Sequence, residues 1–255
     1  MNKTVMISGA TSGIGKACAH KFAKEGFRLI ITGRRKDRLE KLAAVLKNTY
    51  NSEILARELD VRDKIMVKKL IDNLTPEWRS IDVLINNAGL ALGLSPLQDG
   101  DTDDWDTMID TNVKGLLYVG KAVAQLMIVN GRGHIINIGS IAGKEVYPKG
   151  NVYSATKHAV DAITKGMRLD FLGHGIRVTQ IAPGAVETEF SIVRFKGDEN
   201  RAAKVYENYT PLSADDVAGV AYYTTTLPEH VNINDVLVMP TQQANATTFN
   251  KKFPG

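Results

Sequence analysis

The chain has 255 residues, 44% hydrophobic and 24% charged, with a formal net charge of +4. That length and balance suit one large α/β domain and exclude a disordered, fibrous or small disulfide-built chain. The basic residues are scattered among acidic ones without aromatic interleaving, which counts against nucleic-acid binding, and the single cysteine, Cys18, excludes an internal disulfide and suits a reducing compartment.

Short apolar runs predict strands over Lys3–Ser8, Arg28–Thr32, Glu53–Leu59, Asp82–Asn86, Gly133–Ile138, Arg177–Ala182 and Asp235–Met239. Between them, 3.6-residue periodicity predicts helices over Gly13–Gly26, Asp37–Asn48, Asp63–Leu74, Asp103–Val129 and Asn151–Gly173. Such alternation predicts a doubly wound parallel sheet of about seven strands with helices on both faces. No repeat, low-complexity tract or Gly/Ser linker divides the chain, so residues 1–255 are expected to form a single domain. The chain shows neither a secretory leader nor an apolar run long enough to span a bilayer, and a cytoplasmic protein is expected. Asn245-Ala-Thr matches a glycosylation sequon, a pattern short enough to arise by chance.

The first strand runs into Ser8-Gly-Ala-Thr-Ser-Gly-Ile-Gly, which opens the first helix. Gly9, Gly13 and Gly15 allow a tight turn, and the backbone of Thr11, Ser12 and Ile14 can then approach a pyrophosphate at the helix N-terminus. Roughly ~20 residues after such a loop, an acidic residue would bind the adenosine ribose 2′-hydroxyl of NAD. Arg34 and Arg35 stand there instead, and their guanidiniums suit a 2′-phosphate, so NADP(H) is the expected cofactor. No metal is expected.

Ser140, Tyr153 and Lys157 follow the fifth strand. The four-residue spacing of Tyr153 and Lys157 puts phenol and ammonium on one helix face. A free phenol titrates near ~10, and a neighbouring cation lowers that value towards the working range. Ser140 can hold a carbonyl oxygen while Tyr153 gives or takes its proton, a device that needs a hydride source beside it. Farther on, residues 186–211 contain a charged helical stretch, Ser191 to Asn200, that reads as a lid over the crevice. On it, Arg194 or Lys196 can pair with an anionic substrate, with Arg194 the better suited to a planar carboxylate. Tyr147 and Asn151 can add hydrogen bonds. The polar tail, residues 241–255, has Phe249 and Phe253 as anchors and is expected either to be disordered or to dock on a partner subunit.

Together, Gly9-x3-Gly13-x-Gly15, Asn86-Asn87-Ala88-Gly89, Asn112, Ser140, Tyr153-x3-Lys157 and Pro183-Gly184 resemble the short-chain dehydrogenase/reductase family in order and spacing, over nearly the whole chain. The resemblance is closer to bacterial NADP-dependent 3-hydroxy acid dehydrogenases, which also oxidise serine and allo-threonine. It rests on Gly89-Leu-Ala-Leu-Gly, Gly150-Asn-Val-Tyr, Val193-Arg-Phe-Lys-Gly-Asp and His230-Val-Asn-Ile-Asn. It implies that Asp60 and Val61 contact the adenine and that Asn87 lies beside the cofactor ribose. Lys157 would bind nicotinamide-ribose hydroxyls next to Tyr153, while Pro183, Gly184, Val186 and Thr188 cover the nicotinamide end. Asn112 would distort its long helix and hold a water leading to Lys157. A homo-oligomer, most simply a tetramer, is also implied. Sulfoacetaldehyde reductases and broader aldehyde or ketone reductases are similar to the same branch, and a non-catalytic NADP-binding sensor is the reading from another class.

Overall fold

Residues 3–251 are described in a computed structural model of the protein. Seven parallel strands lie in the order β3-β2-β1-β4-β5-β6-β7. They are β1 (Thr4–Ile7), β2 (Arg28–Gly33), β3 (Ile54–Glu58), β4 (Val83–Asn86), β5 (Gly133–Ile138), β6 (Ile176–Pro183) and β7 (Asp235–Val238). All seven predicted strands are present, each within a residue or two of its predicted ends. The five central strands carry nearly unbroken apolar runs because helices cover both sheet faces. On one face, α1 (Gly13–Lys24), α2 (Lys36–Tyr50) and α9 (Ala214–Thr226) pack over Ile7, Leu29, Ile31 and Ile85. On the other, α3 (Lys64–Asp72), α5 (Leu116–Asn130) and α6 (Asn151–Asp170) cover Met6, Ile30, Leu84 and Ile135.

The connections after β1 and β4 leave in opposite directions, so a crevice opens at the strands' carboxyl ends. Register sets its walls, with Ile7 beside Ile85 and Asn86 beside Asn137.

Three elements differ from the sequence expectations. The helix expected over 103–129 is broken into α4 (Thr102–Ile109), a π-helical turn (Asp110–Gly115) and α5. The segment expected as one helix from Ser191 to Asn200 divides into α7 (Phe190–Arg194) and α8 (Glu199–Lys204). Lys196 (φ 53°) and Gly197 (φ 95°) break it by adopting left-handed backbone. Helix α9 was not among the expected helices, although Ser213 and Asp216 form a reciprocal capping box at its start.

Through residue 251 the tail makes contacts within its own chain. Gln243 Oε1 accepts from Ala185 N at 2.8 Å, Ala246 N donates to Glu145 Oε2 at 2.8 Å, and Phe249 lies 4.8 Å from Tyr209 between ring centroids. Asn245 Oδ1 caps the turn at Thr247 and Thr248. Phe253, the other expected anchor, lies outside the described residues.

Candidate active site

The loop after β1 forms one wall of the crevice. Gly9 has φ +69° and Gly13 φ +50°, a backbone that other residues rarely adopt. A Cβ on Gly15 would collide with the Gly9 carbonyl oxygen, so helix and loop approach closely only because the side chain is absent. Ser12 caps α1 without a side-chain hydrogen bond to its first turn, leaving those N–H groups directed at the crevice. Asn87 ties this loop to β4. Its Nδ2 donates to Ser8 O (2.9 Å) and Gly9 O (3.2 Å), while Ser8 Oγ accepts from the Asn87 and Ala88 N–H groups. Thus Asn87 braces the glycine loop and also lines the crevice.

Arg34 and Arg35 behave differently. Arg34 is exposed at the rim, and among the described residues it has no hydrogen bond or ion pair. Arg35 is already engaged. Its Nε and NH2 groups donate to Thr11 Oγ1 (3.1 and 2.8 Å), NH2 also donates to Ser12 Oγ (2.9 Å), and NH1 donates to Glu189 Oε2 (3.0 Å). Arg38 grips the same carboxylate at 2.8 and 2.9 Å. Burial pushes the Glu189 carboxyl up, and hydrogen bonds from Arg35 and Arg38 more than reverse it, holding it below the usual range. Farther along the wall, Asp60 pairs with Arg62 at 2.6 Å, and Val61 packs where a Cβ on Gly115 would stand.

The carboxyl end of β5 and the start of α6 bring Ser140, Tyr153 and Lys157 together. All three line the crevice, and all are buried. Ser140 Oγ accepts from Ala142 N at 3.1 Å, and its hydroxyl is hydrogen-bonded to the Tyr153 phenol. Lys157 Nζ donates to Ile138 O at 2.9 Å and lies 6.0 Å from the Tyr153 ring centroid. Burial lowers the Lys157 ammonium to about 8. Burial raises the Tyr153 phenol above its ordinary value, and Tyr147 adds to the rise; Ser140 and Arg194 oppose it. The expectation that Lys157 lowers the phenol is therefore not met by these protein groups alone, because desolvation of the phenolate outweighs its neighbours.

Asn112 sits in the π-helical turn, where widening of the helix turns its amide inward. Its Oδ1 accepts from Leu90 N (2.8 Å), and its Nδ2 donates to Leu90 O (2.8 Å) and Thr156 Oγ1 (3.1 Å). Thr156 in turn donates to Tyr153 O at 2.7 Å. A Cβ on Gly89 would lie 3.2 Å from Asn112 Oδ1 and 3.6 Å from Lys157 Nζ, so these two groups face one small space.

The segment after β6 closes the crevice. Pro183, Gly184, Val186 and Thr188 line it, and Thr188 packs against Gly13. Arg194 reaches the opposite rim, donating to Gly93 O at 3.2 Å and to the Tyr147 hydroxyl at 2.6 Å. Its guanidinium carbon is 5.6 Å from the Tyr153 ring centroid. Lys196 turns away and pairs with Asp101 (3.2 Å) and Asp104 (3.0 Å). Asn151 Oδ1 accepts from Val152 N at the start of α6, and Asn151 lines a second cavity together with Arg194 and Tyr153.

The family model for short chain dehydrogenases matches residues 3–199. The chain belongs to that family. It is 48% identical over 243 residues to the NADP-dependent 3-hydroxy acid dehydrogenase YdfG of Salmonella typhi, covering 95% of this chain and 96% of the relative. It is 49% identical over 245 residues to sulfoacetaldehyde reductase 2 of Chromohalobacter salexigens, covering 96% of each. Among solved structures it is similar to the closed form of serine dehydrogenase complexed with NADP+, with a TM-score of 0.91, 45% identity and coverage of 95% and 97% of the two chains.

For a short-chain dehydrogenase, the crevice fits a nicotinamide dinucleotide on three counts: glycines where a Cβ would obstruct the loop, open N–H groups at α1, and an arginine at the rim that makes no hydrogen bond or ion pair among the described residues. Sequence reasoning missed Glu189, Arg38, Phe190 and Gln243. Phe190 packs edge-on against Tyr153 at 5.6 Å, and Gln243 holds the Gly184–Ala185 backbone. For Glu189 the usable signal was an acid following Thr188, opposite a basic turn. For Gln243 there was none, because its partner is a backbone group nearly sixty residues away in the chain.

Proposed function

We propose that this short-chain dehydrogenase is an NADP-dependent oxidoreductase that interconverts a small 3-hydroxy acid with its carbonyl acid. Serine, allo-threonine and 3-hydroxypropionate represent the substrate class. The observation that carries the acidic substrate is Arg194, held 5.6 Å from the Tyr153 ring, where a carboxylate can pair with it while the adjacent carbonyl meets the phenol. Lys196 is a poorer anchor because two aspartates already hold it.

Gly9, Thr11, Ser12, Gly13, Ile14 and Gly15 would hold the pyrophosphate, and Arg34 and Arg35 the 2′-phosphate. Asp60 and Val61 would border the adenine. Asn87, Tyr153 and Lys157 would border the nicotinamide ribose, with Pro183, Gly184, Val186 and Thr188 around the ring. When bound, the cofactor supplies or accepts the hydride at the substrate carbon. Tyr153, neutral at pH 7 as an ordinary phenol is and pushed further up by burial, gives its proton to the carbonyl oxygen in reduction. Ser140, hydrogen-bonded to the same phenol, turns its hydroxyl hydrogen to that oxygen and fixes its position. Lys157 supplies positive charge beside the phenolate left behind, and Asn112 shapes the small space through which that proton is replaced. Tyr147 and Asn151 complete the substrate rim. Residues 186–211 act as the lid.

A second reading, a sulfoacetaldehyde reductase, is favoured by the 49%-identical relative of that name. A sulfonate would meet the same Arg194. We also place the enzyme in the cytoplasm as a homotetramer. The family resemblance supports this placement, and among the described residues no helix is long and apolar enough to cross a membrane. The deciding experiment is a parallel kinetic comparison of serine, 3-hydroxypropionate, malonic semialdehyde and sulfoacetaldehyde with NADP(H). The expected result is the highest kcat/KM for the carboxylates. A preference for sulfoacetaldehyde supports the second reading, and no turnover with any of them contradicts both.

A further inference from the structure

Glu189 is the first acidic group that Arg35 and Arg38 meet, and it belongs to the segment that crosses the crevice rather than to the arginines' own element. Its carboxylate sits at the N-cap of α7, one residue after Thr188 packs against Gly13. Five residues on, Arg194 ties the other end of α7 to Gly93 and Tyr147. The segment is therefore clasped at two points, one on the arginine side and one on the Tyr153 side. The first clasp uses donors that suit a phosphate. A 2′-phosphate carries about −2 charge near neutral pH, and a carboxylate already bound to the same guanidiniums repels it and competes for their donors.

Resting on the NADP reading above, we infer that Glu189 is the internal counter-ion of the 2′-phosphate subsite. It holds Arg35 and Arg38, competes with the 2′-phosphate for them, and so couples that phosphate to the position of α7. Nothing in this role extends to NAD(H), which has a hydroxyl at that position. Glu189 thus sets how strongly the enzyme prefers NADP(H), and it transmits the phosphate's arrival to the segment that carries Arg194. Arg34, which makes no ion pair among the described residues, offers the phosphate its first contact.

Dissociation constants for NADPH and NADH, read from nucleotide fluorescence on wild type and Glu189→Gln, test the competition. Glu189→Gln is expected to tighten NADPH by roughly 3- to 10-fold, the scale of two half-exposed ion pairs, and to leave NADH unchanged. Unchanged or weaker NADPH binding in the variant overturns the inference. Equal binding of NADPH and NADH by the wild type instead overturns the NADP reading on which it rests. A second measurement needs no variant. Hydrogen exchange of residues 188–196 in the wild-type enzyme is expected to change with 2′,5′-ADP and not with 5′-AMP. The same exchange pattern with both nucleotides contradicts the coupling to α7.

Discussion

Lys157 is a buried cation with a single protein acceptor, the Ile138 carbonyl, and its burial costs the charged form. Its ammonium titrates near 8 in the fold and near 10.5 in the unfolded chain. Below about 8 both states hold the proton, and the full penalty of burying the charge is present. Between those values the unfolded state holds more protons, so stability rises with pH across that window. The cofactor-free enzyme should therefore gain thermal stability relative to Lys157→Met as pH rises from 8 towards 10.5. Parallel melting profiles for the two proteins would show that Lys157 keeps its ordinary titration. The same desolvation pushes the Tyr153 phenol further from deprotonation, so at neutral pH it holds the proton that reduction requires. Deprotonation for the oxidative direction then depends on positive charge from Lys157 and from the bound oxidised cofactor.

At the level of elements, the π-helical turn does most to shape the site. Asn112 closes a two-way amide link with Leu90 and a third bond to Thr156, all buried. Asn112→Ala leaves Leu90 N and O unpaired in the interior, and urea unfolding should show a loss of about 1–3 kcal/mol. A loss within experimental error would mean that water replaces the amide without cost. The turn itself was hidden in the sequence, because Asp-Thr-Asn-Val-Lys-Gly fits the same helical period as its flanks. The resemblance supplied the distortion at Asn112, but periodicity did not. The break at Lys196 was legible only in part: Gly197 is a readable breaker, but a lysine with φ 53° carries no compositional sign. By contrast, Ser213-x-x-Asp216 was a readable start signal for α9.

For the whole molecule, the parallel sheet follows from alternation of apolar runs with helical patterns, and the crevice follows from the strand order of that sheet. That is why the glycine loop, Ser140, Tyr153 and Lys157 were all legible: each stands directly after a strand or on the helix it feeds. Contacts between distant segments were not legible. Glu189 meets Arg35 from 154 residues away in the chain, and Gln243 braces Ala185 from a tail whose polar composition suggests no fixed place. Both contacts are polar, specific and long-range, and period-based reading has no access to such pairs.

The central claim is that Tyr153 transfers the proton within an otherwise intact nucleotide site. Turnover with NADPH and malonic semialdehyde should be compared for wild type and Tyr153→Phe, with NADPH affinity measured on both. The account predicts a fall in kcat of roughly 10²–10⁴-fold with little change in NADPH affinity. Near-normal turnover in Tyr153→Phe would contradict it.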